Sequence, residues 1–582
     1  MKNLFTLKKY FIRYKKQLIL GFIFIILSDV TAVYVPLIMK DSIDALQNNA
    51  NADLLLKYGL MIIGISVISG IFRFMIRQTI IVVSREIEYD LRGDFWAHIQ
   101  RLPVRYFQNN STGNIMAHAT NDINAVRTFV GPAVMYTTDT VVILILVLSL
   151  MISLNLSLTI YSLLPLPFLS YAVYKVGKKI HQKFTIIQEK FAQLTTMAQE
   201  NFSGIRIVKS YAREESQINS YAAESKDYVK KNLNLVRTQA LIMPILFLIT
   251  GMSIIIVIWA GGTKVIDNEI TLGELTAFVV FLGFLIWPMI AFGWVTNIVQ
   301  QGEASMKRLN KIFAEPYEIE DSAHTNHSIK ELKGDIEFKN VSFRYSENLP
   351  YILKDINLKI PKNSTLAIMG YTGSGKTTFV NLIPRLYDCT SGEILIDGID
   401  SKNVPLNILR TNVGLVQQES FLFSDTVMNN LNYGLREIDE KKALAAASIA
   451  QFDSDVQTFP QKYDTIVGER GITFSGGQKQ RASLARALAI DPKILILDDS
   501  FSAVDTHTEE EILKRIKEFM KSRTTIIISH RISTVKDADQ IIVLSDGKIA
   551  EQGTHNQLVE LGGIYADLHQ KQLLEKELEE IN

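Results

Sequence analysis

Six long apolar stretches in the first 300 residues constrain this chain more than any other feature. Each is about as long as the ~20 residues that carry a helix across a bilayer core. Lipid offers no partner to an unpaired strand edge, so the stretches predict spanning helices. The clearest contains VVILILVLSLMI, in which one serine is the only polar residue. The stretches lie near residues 17–39, 57–77, 131–154, 156–176, 240–262 and 275–299.

The charges between the stretches orient them. Residues 1–16 carry six Lys or Arg and no acid, and residues 175–183 carry four lysines and no acid. Residues 41–53 and 267–274 each carry three acids and no base. By the positive-inside tendency we expect a multi-pass membrane protein with both termini in the cytoplasm. The basic N-terminus enters the first stretch without an A-x-A-type site, so a cleaved secretory signal is not expected.

Two connections, 78–130 and 177–239, are too long for turns between neighbouring spans. Both are charged and rich in helix formers, so they predict helices that continue into the cytoplasm. FQNNSTGN at 107–114 and NFSGIR at 201–206 break them, and each break would present a short transverse helix. The alternative is that the breaks are solvated hairpin tips.

The second half of the chain has a different pattern. GDIEFKNVSFRY and YILKDINLKI alternate at period 2, and short β-branched runs alternate with polar, helix-like segments. This is typical of an α/β domain with buried strands. The sequence therefore predicts a helical membrane domain over 1–315, a linker over 316–335 and an α/β domain over 336–582.

A phosphate-binding loop follows the strand-like run TLAIM. The segment GYTGSGKT fits G-x-x-x-x-G-K-[ST], in which backbone N–H groups surround phosphate, Lys376 reaches the β/γ-phosphates and Thr377 binds magnesium. A second buried run, ILILD, ends in Asp498, as a magnesium-side carboxylate requires. Together they predict a site for a nucleoside triphosphate and Mg²⁺. The candidate nucleotide-binding residues of the loop are Gly370, Thr372, Gly373, Ser374, Gly375, Lys376, Thr377 and Thr378.

A second Gly-rich helix start lies about a hundred residues further on. FSGGQ precedes the helix-like run QKQRASLARAL, and two glycines with a serine at a helix N-terminus form an anion-binding cap. Because one phosphate loop already exists, the second element would serve a nucleotide held by another copy. An ordinary Gly-rich helix start is the alternative. The candidate residues are Ser475, Gly476, Gly477 and Gln478.

With these motifs in order, the whole chain resembles the ATP-binding cassette (ABC) exporters. Further positions match the family's pattern: Tyr345 the aromatic that stacks on adenine, Gln418 the glutamine that senses magnesium, and His530 the switch histidine at the γ-phosphate. VGERG at 467–471 matches the exporter-type loop before the signature. Asp505, in SAVD, matches the loop that crosses the dimer interface.

The resemblance implies a type I exporter fold, six spans followed by an α/β P-loop nucleotide-binding domain. Such a half-transporter works with a second one and clamps two ATP molecules between phosphate loop and partner signature, and its two helix breaks would be coupling helices. The cofactors implied are ATP and Mg²⁺, and nucleic acid is not an expected partner, as a net charge of +1 also indicates. Implied metal ligands are Thr377, Gln418 and Asp498, and implied catalytic residues are Asp498, Asp499, Gln418 and His530.

One position departs from the family's pattern. Most members place glutamate directly after the magnesium aspartate, where this chain has Asp499. Aspartate is one methylene shorter, so its carboxylate falls short by roughly 1 Å, a misplacement that can cost about 10²-fold in rate. An aspartate at this position, with the other motifs in place, resembles the degenerate half of bacterial heterodimeric multidrug exporters. A homodimer with weak hydrolysis is the alternative.

Nothing in the sequence names the cargo. Asp29 and Asp139 lie inside apolar stretches, where a carboxylate is expensive and usually faces a cavity or a partner. They are candidates to attract cationic amphiphiles, and helix–helix hydrogen bonding or a position near the membrane edge is the alternative. The expected substrate is a small hydrophobic or cationic amphiphilic compound. A lipid flippase would share every ATPase motif. A soluble cassette ATPase is excluded unless the spans are core helices, and an importer is disfavoured because importers usually keep membrane and ATPase units on separate chains. The single cysteine, Cys389, excludes a disulfide framework.

Overall fold

A computed structural model describes residues 2–47, 51–468, 471, 474–504 and 506–581 of the chain. The chain divides into two compact units. The first comprises Met1–Gln100 and Thr112–Glu315, and the second comprises Arg101–Ser111 and Pro316–Asn582.

The first unit is helical. Within the described residues, six helices are long and apolar enough to cross a membrane, and each contains one of the six predicted stretches. The prediction of six spans is therefore confirmed, and the two long connections are helical extensions of the spans. The helices are α1 (Lys15–Gln47), α2 (Ala52–Ile99), α3 (Thr112–Leu154), α4 (Leu156–Ser203), α5 (Glu214–Ile266) and α6 (Leu272–Phe313).

The break between the second and third spans overlaps the predicted 107–114, at Asn110–Ser111, and begins before it. Helix α2 ends at Ile99, and a short helix, Val104–Asn109, follows before α3 begins. Pro103 stands at the N-cap of that short helix with φ −67°. Its ring and missing N–H prevent α2 from continuing. The second break lies close to its predicted place, with a short helix at Ile205–Ser210.

The two acidic connections meet at one end of the bundle. Asp44, near the end of α1, accepts hydrogen bonds from the Thr271 hydroxyl and the Gly273 N–H, both at 2.8 Å. Asp44 thereby caps the N-terminus of α6, where a carboxylate also favours the helix dipole. A Cβ on Gly273 would lie 2.3 Å from the Lys40 carbonyl oxygen, so only glycine permits this approach.

Two sheets form the framework of the second unit. One is antiparallel with the order β2-β1-β4-β5, and the other has the order β10-β9-β3-β8-β7-β6, parallel except for β10, as far as the chain is described. The strands are β1 (Ile336–Phe343), β2 (Leu353–Ile360), β3 (Thr365–Gly370), β4 (Ser391–Ile396), β5 (Ile399–Asp400), β6 (Val413–Val416), β7 (Ile494–Asp498), β8 (Thr524–Ile528), β9 (Gln540–Ser545) and β10 (Lys548–Gly553).

Helices cover the parallel sheet, whose central strands are buried along their whole length. The α/β prediction is confirmed, including strands at the runs TLAIM, ILILD and TTIII. The helices of this unit are α7 (Lys376–Leu382), α8 (Leu406–Thr411), α9 (Val427–Leu431), α10 (Glu440–Ile449), α11 (Asp453–Thr458), α12 (Gly476–Ala489), α13 (Thr506–Met520), α14 (Ile532–Val535), α15 (His555–Leu561) and α16 (Ile564–Ile581).

Candidate functional site

A cavity of about 310 Å³ lies at the carboxyl edge of the parallel sheet. Strands β3, β8, β7 and β6 are neighbours and parallel, so the segments that follow them meet at this edge, where open α/β sheets bind ligands. The lining residues are Tyr345, Ile352, Thr372, Gly373, Gly375, Lys376, Thr377, Thr378, Gln418, Asp498, Asp499, Ile528 and His530.

The loop between β3 and α7 requires glycine at two points. Gly370 has φ +144°, and a Cβ there would lie 2.3 Å from the Leu544 carbonyl oxygen. Gly375 has φ +100° and is the N-cap of α7, so a left-handed residue turns the chain directly into the helix. This backbone directs the N-terminus of α7 towards the cavity, as in phosphate-binding loops.

Lys376 is buried inside its own loop. Its ammonium group donates hydrogen bonds to the carbonyl oxygens of Gly370 at 2.8 Å and Tyr371 at 2.9 Å. Burial lowers the pKa of Lys376, and the nearby carboxyl groups of Asp498 and Asp499 oppose that shift. A positive charge held in this way beside helix-terminal N–H groups favours a polyanion such as a triphosphate chain.

Asp498 ends β7 and is only 3% exposed. Burial raises the pKa of its carboxyl group, whereas a hydrogen bond with Thr377 and the charge of Lys376 partly offset the rise. A buried carboxylate beside a hydroxyl and, across the cavity, the side-chain amide of Gln418 offers oxygen ligands of the kind that Mg²⁺ prefers. The residues present therefore fit a magnesium ion.

Asp499 lies on a strained turn directly after β7. Its φ is +45°, its N–H donates to the Ile528 carbonyl oxygen at 3.0 Å, and its own carbonyl accepts from the Ser502 N–H at 3.4 Å. The Gln418 Nε2 atom lies 3.5 Å from Asp499 Oδ2, the outer limit of a hydrogen bond. The carboxylate thus faces the cavity but stops short of a close contact with Gln418.

Tyr345 is anchored at the edge of the cavity from the antiparallel-sheet side. Its hydroxyl lies 2.9 Å from the Thr378 hydroxyl, and its ring packs edge-on against Phe343 and Tyr387, with centroids 5.0 and 5.4 Å away. The ring is therefore held in a fixed orientation, and a planar base can stack on it.

The His530 backbone is fixed by a residue that the sequence analysis missed. Gln572, in α16, accepts a hydrogen bond from the Ile532 N–H at 2.8 Å and donates to the His530 carbonyl oxygen. This amide bridges both sides of the segment that carries the histidine. No signal in the tail HQKQLLEKELEEIN distinguishes Gln572 from its neighbours, because the fold alone brings α16 beside the segment that follows β8. Ile352 and Ile528, which also line the cavity, were missed for the same reason.

The FSGGQ segment begins α12, the helix that its sequence predicts. Ser475 Oγ accepts from the Gln478 N–H at 3.2 Å, and Gln478 Oε1 accepts from the Ser475 N–H at 3.0 Å, which makes a complete capping box. A Cβ on Gly477 would lie 3.0 Å from the Ala503 carbonyl oxygen. The glycine therefore also permits close packing of the 502–504 loop on α12.

The cavity brings together most, but not all, of the predicted site residues. Gly370 shapes the loop from behind, and Ser374 lines an adjoining cavity of about 300 Å³. The four signature residues Ser475, Gly476, Gly477 and Gln478 are absent from the described lining of this chain's cavity. Asp505 lies outside the described residues, as do Glu469 and Arg470 of the VGERG loop.

Comparison with known proteins identifies the family. Residues 18–289 match the family described as "ABC transporter transmembrane region", and residues 353–502 match the family described as "ABC transporter". The chain is 35% identical over 97% of its length to YheI of Bacillus subtilis (strain 168), "Probable multidrug resistance ABC transporter ATP-binding/permease protein", and covers 96% of it. The chain belongs to the ABC transporter family.

Other comparisons define the kind of ABC transporter. The chain is 35% identical, over 93% of its length and 90% of the relative, to the "ATP-dependent lipid A-core flippase" of Syntrophus aciditrophicus (strain SB). A solved structure, "Structure of a bacterial Atm1-family ABC exporter with ATP bound", superposes with a TM-score of 0.80 at 26% identity, covering 96% of this chain and 99% of that one. This ABC transporter is therefore a multi-pass, ATP-hydrolysing half-transporter of the type I exporter fold, and it drives export.

Proposed function

We propose that the chain is one half of a paired exporter of hydrophobic or amphiphilic compounds across the cytoplasmic membrane, with both termini in the cytoplasm. One observation supports the pairing of two half-transporters. The phosphate loop, Asp498 and His530 share a cavity that the described FSGGQ residues do not line. A capped Gly-rich helix start suited to an anion is thus left for a nucleotide held by a second subunit.

The proposed roles follow the positions of the side chains around the cavity. Lys376 and the loop N–H groups hold the β- and γ-phosphates, Tyr345 stacks on the base, and His530 meets the γ-phosphate. The other glycine, serine and threonine residues of the loop complete the phosphate-binding site, namely Gly370, Thr372, Gly373, Ser374, Gly375 and Thr378. Ser475, Gly476, Gly477, Gln478 and Asp505 would act across the interface on the partner's nucleotide.

Mg²⁺ would be held by Thr377, Asp498 and Gln418. When bound, it would neutralise charge on the transferring phosphoryl group. The chain's own residues orient the reacting groups. Gln418 and Asp499 face the space where the attacking water would stand, and the Gln572 bridge holds the backbone that carries His530.

A domain division at 1–315 and 336–582, joined by a linker over 316–335, fits this function. The short helix Val104–Asn109 belongs to the same compact unit as the α/β domain. Within that unit, Arg105 lies 3.5 Å from the carboxylate of Glu318, and Gln108 hydrogen-bonds Tyr387. We assign this short helix as a coupling element between ATP chemistry and the spans.

Asp499 marks a slow site. The 3.5 Å gap to Gln418 leaves the carboxylate short of the position that a glutamate would reach. We therefore propose a heterodimer in which this chain's site mainly holds ATP and its signature completes the partner's faster site. A homodimer that flips lipid is the second candidate, because a relative of equal identity is named a lipid A-core flippase.

Two measurements test the proposal. Purified chain without a second polypeptide should show weak Mg²⁺-dependent ATP turnover, and vigorous turnover would contradict the slow site. Reconstituted vesicles should then be supplied separately with a fluorescent hydrophobic drug and with a labelled lipid. ATP-dependent movement of the drug supports the multidrug exporter, and movement of the lipid alone supports the flippase.

A further inference from the structure

A second cavity, of about 400 Å³, lies within the helical bundle among α1, α2, α3 and α6. Its volume is in the range of pockets that hold small organic molecules. Its lining mixes apolar and aromatic side chains with the only two carboxylates inside the described apolar stretches. The lining residues are Ile25, Asp29, Ala32, Arg73, Ile76, Arg77, Met135, Tyr136, Asp139, Ile143, Gly283, Phe284 and Trp287.

The two carboxyl groups are in contact. Asp29, on α1, is 3% exposed, and its side chain is within hydrogen-bonding reach of Asp139 on α3. Ionised carboxylates only accept hydrogen bonds. Within the described chain, no donor reaches Asp29 Oδ2. The pair is therefore satisfied either by a proton shared between the two groups or by a cation that takes its place.

Exchange of the shared proton for a monovalent cation leaves the net charge of the site unchanged. Arg73, on α2, is the base whose charge acts on both carboxyl groups. Arg77 and Tyr136 also line the cavity, whereas the described lining from α6 contains no titratable group. With one shared proton, the two aspartates and Arg73 sum to zero, and Arg77 adds one positive charge to the cavity lining. A monovalent cation can replace that proton without changing the net charge of a poorly solvated site.

The remaining lining suits an organic cation with apolar substituents. Tyr136, Phe284 and Trp287 line the same cavity, and the Tyr136 and Trp287 rings meet edge-on with centroids 6.4 Å apart. Aromatic faces attract organic cations, and the attraction grows when the site is desolvated. Small inorganic cations gain little from these rings.

We propose that this cavity binds a hydrophobic monovalent cation and releases the proton shared by Asp29 and Asp139. One cation enters, one proton leaves to water, and the aspartates end as two carboxylates balanced by Arg73 and the cation. The inference names a substrate class for the proposed exporter and rests on that function only for its physiological meaning, because binding itself needs no ATP.

The test measures binding of tetraphenylphosphonium to the full-length protein in lipid nanodiscs without nucleotide. Wild-type protein should release about one proton per cation bound, read as the dependence of the titration heat on buffer ionisation enthalpy. Its affinity should rise with pH by up to about tenfold per unit. Asp29→Asn and Asp139→Asn should each weaken binding by about tenfold or more and abolish proton release.

The controls separate charge from folding and site from function. Asp41→Asn removes an exposed carboxylate from the same helix outside the cavity and should leave affinity and proton release unchanged. Wild-type-like ATP binding by Asp29→Asn and Asp139→Asn verifies their folding. Neutral triphenylphosphine oxide should bind both of these variants and wild type alike and release no proton. Competition by phosphatidylethanolamine would identify an aminolipid headgroup as the cation, and its absence a free organic cation.

Equal cation affinity in wild type and both aspartate variants, or binding without proton release, would overturn the site. Proton-coupled binding in vesicles that show no ATP-driven transport would retain the site and refute only the export function. The two failures are therefore distinguishable.

Discussion

Replacing Asp499 with glutamate should accelerate hydrolysis at this chain's own ATP site. The Asp499 carboxylate stops 3.5 Å from the Gln418 amide. One methylene can advance it by up to roughly 1 Å, and about half of that advance already closes the gap to ordinary hydrogen-bonding distance. A misplacement of about 1 Å can cost about 10²-fold in rate. The substitution should therefore lower the activation free energy of hydrolysis by at most about 2.7 kcal/mol. We expect an increase of between about ten- and a hundredfold in the turnover number.

The assay is Mg²⁺-dependent phosphate release by pairs in which only this chain's site can hydrolyse. Asp498→Glu is the matched control, since it adds the same methylene to the buried neighbouring carboxylate and should lower turnover. Asp499→Asn tests the charge and should give no gain. If Asp499→Glu binds ATP normally but changes turnover by less than about twofold, the length of this side chain does not limit the reaction, and the slow-site argument is wrong.

The remaining predictions concern other groups at the cavity. Lys376→Ala removes the buried ammonium that the loop carbonyls hold, so nucleotide affinity should fall by about tenfold or more in a fluorescent-nucleotide titration. Asp498→Asn should abolish Mg²⁺-dependent turnover yet raise thermal stability at neutral pH. Burial raises the pKa of Asp498, so its ionised form costs stability above that pKa, and the difference from wild type should vanish as pH falls through it. An unchanged difference at low pH would contradict this. Gln572→Ala should lower the turnover number several-fold with little change in nucleotide affinity. Gln572→Glu should retain only the contact with the Ile532 N–H. Equal activity in wild type and both variants would exclude a positioning role for Gln572.

Local patterns in the sequence predicted most of the fold. The lengths of the apolar stretches predicted the six spans. Period-2 alternation and β-branched runs predicted strands β1, β2, β3, β7 and β8. The phosphate loop could be predicted because its glycines, Lys376 and Thr377 are consecutive. The meeting of this loop with Asp498 and His530 follows from the adjacency of β3, β8 and β7. That adjacency is tertiary, and only the resemblance to a family supplied it beforehand.

Features set by long-range packing could not be predicted. The contact between Asp29 and Asp139 is one such feature, because the two residues are far apart in sequence and hydropathy does not show which face of a helix turns towards a neighbour. Gln572 reaches His530 only because α16 packs beside the parallel sheet. The start of the first helix break is a different case, because Pro103, which precedes the FQNNSTGN segment, is a local signal for the end of α2.

The central claim is that one chain binds ATP but two half-transporters are needed to hydrolyse it. Phosphate release should be compared between nanodiscs that contain a single copy of this chain and nanodiscs that contain two half-transporters, with ATP binding measured in both. Single-copy discs should bind ATP and release phosphate only at background rate, whereas discs with a pair should turn over. Equal turnover per chain in both would contradict the account.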